Sequence, residues 1–131
     1  MNPEKEEFVR KRLAHTLRTF EEIEIQIENE LWNIAVNRLY YACFYAITAL
    51  LHNYGWDTKT HSGVHRLFNL HFIKSGIINK EYGDLYTSLM DMRQDADYED
   101  EIEYEREDVL KLLQPVKNLI AAIETVLSKD N

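Results

Sequence analysis

LYYACFYAITALL, residues 39–51, is uncharged and lacks glycine and proline. Bracketed by Arg38 and His52, it falls short of the roughly 20 apolar residues that a membrane span needs. Extended to 31–53 it reads as one helix, apolar around most of its circumference, the pattern of the most buried helix of a bundle. Cys43, the only cysteine, lies inside this run. It allows no internal disulfide and reads as a small core residue in a reduced, cytoplasmic setting.

Outward from this helix the same periodicity recurs. Residues 4–30 place Val9, Leu13, Leu17, Phe20, Ile23, Ile27 and Leu31 at three- and four-residue spacings with charges opposite, the stripe of an amphipathic bundle helix. Residues 53–60 read as a loop, with Gly55 as helix stop and Asp57, Thr58 or Thr60 as N-cap. A helix at 61–74 packs Val64, Leu67, Phe68 and Phe72 and stops at Ser75 and Gly76. Another runs from near Lys80 to about Ala96. The last, to about Leu127, shows Val109, Leu112, Leu113, Val116, Leu119, Ile120, Ile123 and Leu127 on one side, with Pro115 expected to kink or split it. With four glycines and two prolines in 131 residues, the composition favours helices, and the length fits one domain with a real core. The expected fold is a single all-α domain over 1–131, an up-and-down bundle of four long helices plus short helical segments. The N-terminal MNPEKEEFVRKR lacks the apolar stretch of a signal peptide, so no membrane association is expected.

The net charge of −8 argues against a protein that coats nucleic acid nonspecifically. Yet the charge is partitioned. Residues 95–108 hold nine acids against Arg106 alone, leaving 14 acids and 14 bases elsewhere. Between His52 and Lys80 the sign reverses, with Lys59, Arg66, Lys74, Lys80 and four histidines against the single Asp57. The acidic segment 97–108 reads as a solvated loop.

On a wheel of about 100° per residue, Leu85, Leu89, Met92 and Ala96 form the core face of the fourth long stretch. Tyr82, Tyr86, Met90, Arg93 and Asp97 form a second stripe on its shoulder. The second helix, 31–53, has a matching lane of Ile34, Arg38, Tyr41, Tyr45, Thr48 and His52. Lanes of tyrosine and arginine suit a groove wall that grips phosphate and stacks a base, and they suit equally an oligomer interface. Arg93 and Asp97, four apart, also form an ordinary helix-surface pair. His61 and His65 have the spacing for a shared metal but no third ligand accompanies them; capping or core-edge roles are the expectation. No glycine-rich phosphate loop or GxSxG elbow occurs, and no metal or cofactor is expected.

NRLYYACFYAITALL (37–51), KTHSGVHRLFNLHFIKSG (59–76) and a helix closing on RQDADY (93–98), in this order and spacing, resemble the HEPN (higher eukaryotes and prokaryotes nucleotide-binding) family, in its small stand-alone prokaryotic branch associated with toxin–antitoxin pairs. The resemblance spans about residues 31–126. It implies an up-and-down helical bundle that dimerises across a cleft and is often a metal-independent RNase toxin paired with a minimal nucleotidyltransferase. RNase members carry an arginine followed, after four to six residues, by a histidine. Arg93 matches the arginine, but His71 is the last histidine, and Tyr98 stands at the position of the second residue. A histidine near 6.5 can deprotonate a ribose hydroxyl at neutral pH, whereas a tyrosine near 10 is a poor base. Where active relatives place a tyrosine for adenylylation, this chain has Asp100.

Arg93, Asp97 and Tyr98 are thus the catalytic candidates, and Arg38, Tyr41, Tyr45, His52, Lys59 and His61 the ligand-binding ones. Three readings stay open: a homodimeric protein binding RNA, a nucleotide or a nucleotidyltransferase partner; an endoribonuclease with a degenerate motif; and a purely structural interaction module.

Overall fold

The computed structural model describes residues 2–98 and 102–129, with Tyr98 described in its backbone only. The described residues fold into five α-helices: α1 (Pro3–Glu28), α2 (Trp32–Asn53), α3 (His61–Phe68), α4 (Lys80–Tyr98) and α5 (Arg106–Lys129). The protein is an all-α bundle. The side chain of Asn2 accepts from the backbone amides of Glu4 and Lys5, and Pro3 follows at a position where a missing N–H costs nothing. Between α1 and α2 only residues 29–31 intervene, with Glu30 at φ 57°, so the two helices pair as a hairpin.

The second helix is the centre, packed against α1, α3, α4 and α5. Ala35, Ala42, Ala46 and Ala49 let neighbouring backbones come close, while Val36, Leu39, Ile47 and Leu50 fill the space between; all are fully buried. By length and composition α2 could cross a membrane, but 61% of its most apolar window is buried in the bundle, as expected of a core helix. From α5, Val109, Leu112, Val116, Leu119, Ile123 and Leu127 enter the same core.

Several expectations change. Helix α1 buries Thr16, Thr19 and Ile23 and packs Val9, Leu13, Phe20 and Ile27 against the core, but Leu17 of the same stripe is 56% exposed, and Leu31, which lies beyond α1, is 44% exposed. The α3 segment does not stay α-helical to Lys74. Residues 69–73 form a π turn, and the left-handed Gly76 (φ 81°) follows. Pro115 does not split α5, which is one element across it. On α4 the core direction lies between the two expected stripes: Tyr86 and Leu89 are fully buried, and Leu85 only partly.

The acidic segment also departs from a solvated loop where it is described. Asn33 at the start of α2 donates to the Ile102 carbonyl at 2.9 Å and accepts from the Tyr104 amide at 2.8 Å. The Tyr104 hydroxyl donates to the Met92 carbonyl at 3.2 Å. One amide side chain therefore replaces water for two backbone groups and ties residues 102–104 to α2.

Candidate functional site

Tyr40 sits where α2, α3 and α4 meet, and Tyr86, His61 and Arg93 converge on it. The Tyr86 ring stacks on it at 5.5 Å, and the Tyr86 hydroxyl donates to its oxygen at 3.3 Å. On another side its hydroxyl lies 2.6 Å from His61 Nδ1. Above its ring, at 4.9 Å from the centroid, sits the guanidinium of Arg93, which also approaches the Tyr41 ring at 6.0 Å. A cation over two aromatic faces is held by their quadrupoles without being neutralised.

Arg93 is consequently more buried than a shoulder position implies: its side chain is 11% exposed. Nη1 donates to Asp97 Oδ2 at 3.3 Å, while the buried Nε has no hydrogen-bond partner among the described residues. A guanidinium has five N–H donors, so one carboxylate at this distance leaves it with donor capacity. The side chain of Tyr98, the third catalytic candidate, lies outside the described residues.

His61 opens α3, positioned by Thr60, whose hydroxyl accepts from the Gly63 amide at 2.9 Å. Its ring stacks on Phe44 at 4.5 Å and meets Tyr41 edge-on at 5.8 Å. Burial first, and then the charge of Arg93, hold its pKa below the usual 6.5. Burial likewise pushes the Tyr40 and Tyr86 hydroxyls up, so both stay protonated. The site therefore presents one fixed cation, one neutral imidazole and two protonated phenols.

The remaining lane residues divide between two places. Arg38 lies 5.1 Å over the Tyr41 ring and is held by Asn37 Oδ1 at 3.1 and 3.3 Å, so Arg38 and Tyr41 adjoin the Arg93 cluster. Tyr45 and His52 lie further along α2, Tyr45 still meeting the Tyr41 ring at 5.8 Å. Helix α1 covers them: His15 stacks on Tyr45 at 3.9 Å, Arg12 lies 5.5 Å from that ring, and Phe8 meets His52 at 3.9 Å. His52 is further tied to Asp57 at 2.7 Å. Between α1, α2 and the 56–61 turn lies a cavity of about 410 Å³ whose lining includes Phe8, Arg12, Phe44, Trp56, Lys59 and His61. His61 thus belongs to both places. His65 engages Thr87 at 2.8 Å, and no metal-binding group of three occurs among the described residues.

Tyr40, Phe44 and Arg12 were not singled out in the sequence. A tyrosine on an otherwise apolar helix face signals a buried hydroxyl that must find a partner, and Tyr40 offers that signal. Nothing comparable marks Arg12, whose importance depends on where α1 lands.

Residues 9–126 match the family model of the HEPN domain. Over 121 residues the chain is 36% identical to a UPF0332 protein of Thermotoga maritima, covering 92% of this chain and 89% of that protein. Two Methanocaldococcus jannaschii proteins, each described as a "Putative toxin", are 40% identical over 75 residues and 34% identical over 96 residues. These matches cover 57% and 73% of this chain, and 56% and 65% of the two proteins. With the family model matching nearly the whole chain and the helical bundle agreeing with it, this protein belongs to the HEPN domain family.

Proposed function

We propose that this protein is the toxin-type member of a two-protein system and that it binds RNA phosphate at the wall formed by Arg93, Arg38 and Tyr41. The supporting observation is the guanidinium of Arg93, pressed on the faces of Tyr40 and Tyr41, with a single carboxylate partner and a buried Nε that has none among the described residues. Burying a charge with unused donors is costly unless a ligand completes it. Phosphate oxygens supply that complement in the planar geometry guanidinium prefers. Tyr41, partly exposed between Arg38 and His61, offers a face for a base.

The active form under this reading is a homodimer. Ile34, one turn before Arg38 on the same lane, is 50% exposed, and Leu31 beside it is 44% exposed; a second copy would cover them. The partner is a nucleotidyltransferase-like antitoxin, in keeping with the HEPN relatives described as toxins.

The test is fluorescence anisotropy with a labelled single-stranded RNA of mixed sequence over a salt series. Affinity should fall with salt, and both Arg93→Lys and Arg38→Ala should weaken binding about tenfold or more, the loss expected when a bidentate or charge-assisted contact is removed. Helical circular dichroism should be unchanged. A wild-type protein that dimerises but binds no RNA would make the surface an interaction module instead.

A further inference from the structure

We propose that the cavity between α1, the C-terminal half of α2 and the 56–61 turn is a second ligand site, separate from the Arg93 wall, and that it takes a small aromatic carboxylate carrying one negative charge. The inference does not depend on the RNA-binding reading above: the lining of this cavity shares no residue with the wall formed by Arg93, Arg38 and Tyr41.

Two cations reach the cavity. Arg12, from α1, is half-buried, with its guanidinium 5.2 Å from the Phe8 ring and 5.5 Å from the Tyr45 ring. Lys59, from the turn, is exposed. Neither forms an ion pair with a carboxylate among the described residues. The one acid in the lining, Asp57, is engaged by His52 at 2.7 Å. A half-buried guanidinium seated on aromatic faces keeps its N–H donors, and an anion is the group that completes them. A single negative charge balances two cations and one carboxylate.

The rest of the wall selects an aromatic body. Phe8, Phe44, Trp56 and His61 line the one cavity, and each is braced by a neighbour. Phe8 meets His52 at 3.9 Å, and Trp56 stacks on His71 at 3.7 Å. His61 stacks on Phe44 at 4.5 Å, with Nδ1 tied to the Tyr40 hydroxyl. Rings held in this way offer preformed faces and edges for offset or edge-on packing of another ring. Leu51 and Val64, both buried, add apolar surface.

The volume of about 410 Å³ lies near the small end of the roughly 300–1,000 Å³ that ligand pockets span. It is room for a small ring system and not for a nucleic-acid strand. The turn that carries Lys59 is set by Gly63. A Cβ there would collide with Thr58 Oγ1 and stand 2.7 Å from Thr60 Oγ1, so the missing side chain lets residues 58–60 fold down onto the first turn of α3. Lys59 is thereby placed on the same cavity as Arg12, a residue of another helix.

The test is a two-dimensional NMR titration of the isotope-labelled protein with phenylacetate, following the indole N–H of Trp56. The indole of Trp32, at the opposite end of α2, is the internal reference. Phenylacetate is expected to move the Trp56 signal with a Kd of about 1 mM or tighter, the range open to a ligand of its size, and to leave Trp32 in place. Phenylacetamide, which lacks the charge, and cyclohexylacetate, which lacks the aromatic ring, should each bind at least about fivefold more weakly. Arg12→Gln should weaken phenylacetate binding about tenfold, and Lys59→Met, at an exposed position, about threefold, both with unchanged circular dichroism. Arg38→Ala should stay within about twofold of wild type. A Trp56 signal that does not move overturns the site, and so does affinity lost in Arg38→Ala but kept in Arg12→Gln and Lys59→Met. Phenylacetamide binding as well as phenylacetate, or AMP saturating the Trp56 shift at a lower concentration, overturns the ligand class.

Discussion

Removing the Tyr40 hydroxyl should cost more stability than removing the Tyr86 hydroxyl, although the two phenols are stacked neighbours of equal burial. Tyr40 is the middle of a three-member chain, accepting from Tyr86 at 3.3 Å and bonded to His61 at 2.6 Å. In Tyr40→Phe the Tyr86 hydroxyl stays in a fully buried place without its acceptor, and an orphaned buried group costs about 1–3 kcal/mol. His61 is only partly buried, so water can replace its lost bond. In Tyr86→Phe a donor disappears along with its need, and the net loss of one long hydrogen bond is about 0.5–1 kcal/mol. Tyr40→Phe/Tyr86→Phe removes the orphan again. The double variant should therefore be less destabilised than the sum of the singles by at least about 1 kcal/mol. For a 131-residue chain, about 2 kcal/mol is about 7 °C in Tm, well within reach of thermal or urea unfolding followed by circular dichroism. Additivity within about 0.3 kcal/mol, or a Tyr86→Phe variant less stable than Tyr40→Phe, would refute the chain as drawn.

Gly63→Ala should destabilise, although alanine ordinarily favours a helix by about 1 kcal/mol over glycine. A Cβ there would collide with Thr58 Oγ1 and stand 2.7 Å from Thr60 Oγ1, so the turn that presents His61 must shift, at a cost of about 1–3 kcal/mol; a second change, Thr58→Ala, should return part of the lost Tm, and no recovery would place the strain elsewhere. Stability should also fall between pH 7 and pH 5. Burial, followed by neighbouring arginines, holds His15 and His61 below 6.5 in the folded state, so the unfolded chain binds more protons as pH drops through 6.5 and gains population. Glu7, the carboxylate held below its usual 4.5 by Arg10, acts only at lower pH. Tm measured from pH 7.5 to 5 should slope downward in wild type and flatten in His15→Gln/His61→Gln; a flat wild-type profile would contradict these shifts.

The all-α bundle was legible in the sequence because a buried helix needs apolar residues around most of its circumference, and 39–51 provides them whatever packs on it. The stops at Gly55 and Gly76, and an N-cap among Asp57, Thr58 and Thr60 of which the structure uses Thr60, were legible for a similar reason: φ preference and cap chemistry act within a few residues. The i, i+4 spacing of Arg93 and Asp97 likewise fixes that they can meet. Spacing along one helix cannot say how a second helix rotates against it. Leu17 of the α1 stripe therefore faces outward while Val9, Leu13, Phe20, Ile23 and Ile27 of the same stripe pack inward, and Tyr86 moved from shoulder to core. Residues 102–104, inside the acidic segment 97–108, are pinned because Asn33 lies beside them only after folding. The motif leads to Tyr98, whose side chain lies outside the described residues, and the imidazole that shares the Tyr40 platform with Arg93 comes from α3. Tyr40 brings it there, receiving Arg93 on its face and His61 at its hydroxyl. That convergence depends on the packing of α2 against α3 and α4, and tertiary structure alone decides it because the residues concerned are neighbours in space and strangers along the chain.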